Sequence, residues 1–85
     1  MRPRRALNRL RQGQYANVRF ADACRLVEAL GWRKLRIAGS HRIYVHPDLP
    51  ELINLQNVRG QAKPYQLRQV MRLVERYNLG LEEES

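Results

Sequence analysis

The stretch Gly39-Ser40-His41-Arg42-Ile43-Tyr44-Val45-His46-Pro47 holds both histidines of the chain. Arginine and tyrosine lie between them, and a Gly-Ser turn opens the run. Histidine is the side chain whose ordinary pKa, about 6.5, lies near working pH, so it can act as a base or an acid. A titratable base beside cationic and aromatic groups suggests chemistry on RNA. RNA supplies its own nucleophile, the 2′-hydroxyl. Cleaving it requires a base for that proton, cations to offset charge on the phosphorane, and an acid for the leaving 5′-oxygen.

The composition agrees with a polyanion partner. There are 16 basic residues against 8 acidic among 85, a formal net charge of +8. The imbalance is concentrated: residues 1–47 hold eleven Arg or Lys against only Asp22 and Glu28. Fourteen of the basic residues are arginine, whose fork matches phosphate better than lysine does. A basic surface that serves solubility alone is the plainer reading of the same numbers.

Other classes are excluded. Cys24 is the sole cysteine, so there is no internal disulfide, and a cytoplasmic, reducing setting is expected. No CxxC or Cys/His cluster occurs, which argues against a structural zinc, and no metal or cofactor is expected. No apolar run approaches the ~20 residues that cross a bilayer, so no membrane association is expected.

The elements that must position the histidine stretch follow from periodicity. Residues 1–16 form a basic extension in which Pro3 can open a short helix, with Leu7 and Leu10 on one side and Gln12-Gly13 as its end. It reads equally as a docking arm or as a solvated, frayed segment. Phe20, Ala23, Cys24, Val27 and Leu30 recur at helical spacing over residues 19–30, and Gly31 stands where a helix stops. Cys24 on that stripe is a buried small hydrophobe rather than a reactive thiol. Trp32–Ala38, His41–His46 and Glu51–Gln56 read as three strands, broken by Gly39-Ser40 and by Pro47-Asp48-Leu49-Pro50. Residues 57–64 form a polar loop, and Pro64 starts a helix carrying Leu67, Val70, Met71, Val74 and Tyr77. The acidic tail, residues 82–85, is expected to be disordered. The fold class is therefore α+β, in the order α-β-β-β-α: a three-stranded antiparallel sheet with two helices packed on one face, behind the N-terminal extension.

Side chains alternate along a strand, so parity sorts the faces. Leu35, Ile37, Ile43, Val45, Ile53 and Leu55 are the natural inner residues. Lys34, Arg36, Arg42, Tyr44, His46, Asn54 and Gln56 would then line an open face suited to phosphate and bases, or form an ordinary polar sheet face. His41 has inward parity but follows the turn, where a sheet edge splays. Parity by itself favours His46 as the working histidine.

From Asn17 to Leu79 the chain resembles the HicA toxins of bacterial type II toxin–antitoxin systems. The resemblance is carried by Asn17-Val18-Arg19-Phe20, by Leu26-Val27-Glu28-Ala29-Leu30-Gly31-Trp32, and by Gly39-Ser40-His41 followed by Tyr44 and His46-Pro47. It continues through Leu55-Gln56, Arg59-Gly60-Gln61-Ala62-Lys63-Pro64-Tyr65-Gln66, Arg68-Gln69 and Leu73-Val74-Glu75-Arg76-Tyr77-Asn78-Leu79. Gly-Ser-His is a weak tripeptide, and its combination with the later Gly, Lys, Pro, Tyr and Gln segment is far more specific. The resemblance implies a double-stranded-RNA-binding-domain-like fold over residues 17–81 and a ribosome-independent mRNA interferase activity. It makes His41 the catalytic base, displacing His46. Many family members carry a second histidine directly after it. Here Arg42 stands in that place, so no role transfers to it from that residue.

The activity so implied is metal-independent cleavage that leaves a 2′,3′-cyclic phosphate. Arg36, Arg42 and Lys63 are candidates to offset charge, and His46 or water is the acid. Lys34, Ser40, Tyr44 and His46 join these as candidate RNA contacts. A HicB-type antitoxin is the implied partner, its acidic surface steering association with a basic toxin. The rival is a non-catalytic double-stranded RNA-binding module on the same fold, which would bind RNA in a salt-dependent way without cleaving it. A structural assembly protein is a third possibility.

Overall fold

The computed structural model describes residues 1–81. The chain runs α1 (Pro3–Arg11), α2 (Phe20–Ala29), β1 (Arg33–Ala38), β2 (His41–Val45), β3 (Ile53–Val58), β4 (Gln61–Ala62) and α3 (Pro64–Tyr77). The strands form one antiparallel sheet in the order β1-β2-β3-β4. The class is α+β, and from α2 onward the order is the expected α-β-β-β-α with a two-residue fourth strand inserted before the last helix. The expected disorder of the acidic tail falls on residues 82–85, outside the described residues.

The helices form where the apolar spacing demands. On α2, Phe20, Ala23, Cys24 and Val27 are buried, and Gly31 leaves the helix at φ 105°. On α3, Leu67, Val70, Met71 and Val74 are buried, with Pro64 at the first turn and Asn78 ending the helix at φ 50°. Both helices pack against β3, whose Ile53 and Leu55 are buried between them and the sheet.

The leader is not a frayed arm. Ala6, Leu7 and Leu10 of α1 are all buried, and α1 packs on both α2 and α3. Two fully buried leucines contribute about 1.5–3 kcal/mol each, enough to hold a nine-residue helix that would not persist alone.

The expected polar loop at 57–64 contains a hairpin instead. Arg59 and Gly60 both take positive φ, 54° and 85°, the conformation that a two-residue turn between antiparallel strands requires. The Gly60 N–H donates to Asn57 Oδ1 at 2.7 Å, closing the turn. Asn57 then pairs with Ala62, and Val58 with Gln61.

The largest departure concerns β1 and β2. Tyr44, expected on the open face, is fully buried on the helix side. Its hydroxyl donates to Glu28 Oε2 on α2 at 2.9 Å. Parity then carries Arg42 and His46 to the same side. The Arg42 guanidinium lies 5.2 Å from the centre of the Phe20 ring and donates to Cys24 Sγ. Ile43 and Val45, expected inside, are half-exposed on the other face. Leu35 and Ile37, also expected inside, are 58% and 56% exposed. The physical reason is that β1 is the outermost strand, set away from the cover that α2 and α3 give β3. A register shift between Lys34 and Arg36 makes Leu35 the extra residue of a bulge, a device that keeps an edge strand from pairing with other chains.

Candidate active site

His41 opens β2 directly after the Gly39-Ser40 turn, where Gly39 takes φ 60°. Because Tyr44 faces the helices, His41 has the opposite parity and stands on the open face with Ile43 and Val45. The strand register assembles that face: Ala38, His41 and Gln56 form one row, and Arg36, Ile43 and Asn54 the next. His41 Nδ1 lies 2.9 Å from Asn54 Oδ1. An amide oxygen only accepts, so the ring donates from Nδ1; in the neutral ring the lone pair then lies on Nε2, which has no hydrogen-bond partner among the described residues. A neutral imidazole fixed in that tautomer can take a proton from a substrate hydroxyl.

The surroundings suit an anionic polymer. Arg36 is a diagonal cross-strand neighbour of His41, a spacing of roughly 7–8 Å that a long side chain bridges. Arg33, opposite Val45, adds a second cation on the same face. No acidic residue occurs in β1, β2 or β3. Ser40 is exposed, and its Oγ lies 3.5 Å from Gln56 Nε2. The Ser40 carbonyl accepts from the Asn57 N–H at 2.8 Å, which extends the β2–β3 pairing into the turn. Gln56 is held in turn, since its N–H donates to Gln66 Oε1 of α3 at 2.7 Å. The turn that carries His41 is thus tied through β3 to α3.

The residues singled out from sequence divide into two groups. His41, Arg36 and Ser40 come together on or beside the open face, with Asn54 and Gln56. Arg42, Tyr44 and His46 do not join them. Burial first, then hydrogen bonds to Cys24 and Glu28, push the Tyr44 phenol well above its usual pKa, so it stays a neutral donor to Glu28. His46 packs edge-on against Trp32, with ring centroids 4.7 Å apart, and its Nδ1 accepts from the Asp48 N–H at 3.0 Å. Its Nε2 sits where a Cβ on Gly31 would be, only 2.7 Å away, so the ring is seated on the glycine backbone. Lys34 stands opposite Tyr44, and the bulge separates it from Arg36. Lys63 is exposed at the N-cap of α3, beyond β4 and so on the far side of β3 from His41. The His41–Asn54 pair was missed from sequence. Sequence parity puts Asn54 on the open face but turns His41 away from it, whereas the register of β2 brings the two together.

Cys24 is buried at the foot of the Arg42 and Tyr44 side chains, as a residue of the apolar stripe should be. Among the described residues no cluster of three His, Cys, Asp or Glu side chains could hold a metal ion. No helix among them is long and apolar enough to cross a membrane.

Comparison with known proteins gives the class first: a toxin of a bacterial toxin–antitoxin system. Residues 20–75, from the start of α2 to near the end of α3, match the family model described as the HicA toxin of bacterial toxin–antitoxin, and the chain belongs to that family. The matched span contains β1 to β4 and all of the site residues, and it leaves out α1. An antitoxin is the partner that membership implies. No curated protein and no solved structure matches the chain.

Proposed function

We propose that this toxin is a ribosome-independent endoribonuclease, an mRNA interferase, in which His41 is the general base. His41 Nε2 takes the proton of a ribose 2′-hydroxyl, and the alkoxide attacks the adjacent phosphorus. The bond to the 5′-oxygen breaks, leaving a 2′,3′-cyclic phosphate and a 5′-hydroxyl. A placed base of this kind contributes about 10²–10⁴-fold. Arg36 offsets charge on the phosphorane, with Lys63 an outlying phosphate contact. Water protonates the leaving oxygen, because His46 is turned to Trp32 and Asp48. No metal or cofactor takes part. The catalytic unit is residues 17–81, with residues 1–16 supplying α1 as a brace. The antitoxin is of the HicB type, covers the open face, and works with the toxin in the cytoplasm.

The observation that carries this reading is the 2.9 Å contact from His41 Nδ1 to Asn54 Oδ1 on an open, acid-free sheet face. The experiment is induction of the protein alone in bacteria, beside His41→Ala, following growth and RNA integrity. The expected result is growth arrest with fragmented transcripts for the parent and neither for the variant. RNA binding without fragmentation would favour the non-catalytic module.

A further inference from the structure

Arg59 occupies the first central position of the β3–β4 turn at φ 54°, a backbone conformation that glycine, asparagine and aspartate tolerate and arginine disfavours. The turn gains nothing from an arginine there. Arg59 is exposed, and its side chain has no hydrogen bond or ion pair among the described residues. The local sequence rule is therefore broken at one residue of an otherwise consistent hairpin. Such breaks are characteristic of positions kept for function.

The tip is also rigid and well placed. The Gly60 carbonyl accepts from the Phe20 N–H at 2.9 Å, and the Val18 carbonyl accepts from the Ala62 N–H at 2.9 Å, so the hairpin is fastened to the start of α2. Arg19 bridges to Gln61 beside them. At its other side, the Asn57 N–H donates to the Ser40 carbonyl at 2.8 Å, joining the hairpin to the turn that presents His41. Both turns lie at one end of the sheet. Arg59 is three residues beyond Gln56, the cross-strand partner of His41. At about 3.3 Å per strand residue its backbone is roughly 10 Å further along β3, and the guanidinium can reach part of that way back.

We propose that Arg59 is a substrate-binding residue that grips a phosphate of the RNA strand next to the one attacked at His41. The inference rests on the endoribonuclease reading. A guanidinium forks onto two phosphate oxygens at once, and a fastened tip loses little freedom in doing so. The strained backbone is then retained because only a long cation at that tip reaches the strand.

The test uses the full chain with His41→Ala as the parent, so that RNA stays intact, and a short fluorescent single-stranded RNA of mixed sequence as the probe. Affinity is measured over a range of salt concentrations for the parent and for versions that also carry Arg59→Asn or Arg59→Lys. Arg59→Asn is expected to unfold at the same temperature as the parent or a higher one. It is expected to bind about tenfold more weakly. Its salt slope should be shallower by about one, the signature of one lost phosphate contact. Arg59→Lys should recover most of the affinity and the slope. Equal affinity and slope for Arg59→Asn and the parent would overturn the role of Arg59 and leave the endoribonuclease reading intact. A marked loss of stability in Arg59→Asn would also overturn it, by showing that the arginine serves the turn. Failure of the parent itself to bind RNA would overturn both readings.

Discussion

The two faces of β2, continued to His46, each carry a histidine and treat their polar groups in opposite ways. On the helix side, Arg42, Tyr44 and His46 each find a partner within the fold: Phe20 and Cys24, Glu28, and Trp32 with Asp48. On the open side, His41 finds Asn54 through one nitrogen and leaves the other without a hydrogen-bond partner among the described residues. Polarity does not decide which face of a strand is buried. A buried polar group is tolerated when its hydrogen bond is made inside, and Glu28 makes that possible for Tyr44. Tyr44 is fully buried while Ile43 and Val45 are only half-buried, so the strand turns its aromatic ring and not its aliphatic pair to the helices.

Breaking the buried side should cost the most. Tyr44→Ala is expected to lose about 3–5 kcal/mol of stability, the usual cost of emptying an aromatic site. Ile43→Ala, its neighbour on the open face, should lose well under half of that. Urea denaturation of the two variants checks the difference, and equal losses would mean that the faces have been assigned wrongly.

The open side should respond in activity instead. Asn54→Ala releases the His41 ring from its fixed tautomer and orientation, and RNA cleavage is expected to fall about 10–100-fold through kcat. Its thermal unfolding should stay close to that of the parent, because the amide is exposed. A cleavage assay paired with a melt separates this from a folding defect.

A smaller effect is expected at the seat of His46. Gly31→Ala places a Cβ 2.7 Å from His46 Nε2 at a residue with φ 105°, so the ring must shift and the backbone is strained. The expected cost is about 1 kcal/mol or somewhat more. The His46 ring protons should lose the shift that Trp32 imposes, an NMR change absent from Ile43→Ala.

The smallest effect lies in alkaline stability. The folded-state pKa of Tyr44 is raised above its unfolded value of about 10, chiefly by burial. The stabilisation from its neutral hydroxyl is therefore complete below about pH 10 and declines as pH rises beyond it. Tyr44→Phe has no phenol to titrate. Its stability deficit relative to the parent should narrow above that pH, as denaturation at a series of alkaline pH values would show.

Much of this molecule was legible in its sequence, and the rest depends on contacts between distant elements or on how each element is covered. α2 and α3 followed from apolar residues at helical spacing, and β3 from Ile53 and Leu55, because each of these elements packs through residues of a single kind. β2 was misread because the residue that anchors it is Tyr44, and the group that accepts its hydrogen bond, Glu28, is sixteen residues away on another element. Periodicity contains no information about such a pair. β1 was misread because alternation implies a covered face, and this edge strand has little cover on either side. The leucines of α1 were visible as a stripe, but what they pack against was not. His41 was reached through resemblance to a family while parity argued against it. The structure removes that conflict, since parity in β2 is the reverse of the one its hydrophobic pattern suggests.

In the proposed reaction the chemistry belongs to the open face of β2 and to His41 there. The most direct measurement is the rate of cleavage of a defined RNA in EDTA by the purified parent, His41→Ala and His46→Ala, each shown to be folded at the assay temperature. The expected result is undiminished cleavage by the parent in EDTA, a loss of about 10²–10⁴-fold in His41→Ala, and a rate near that of the parent for folded His46→Ala. Cleavage that survives His41→Ala, or that disappears with His46→Ala alone, would contradict it.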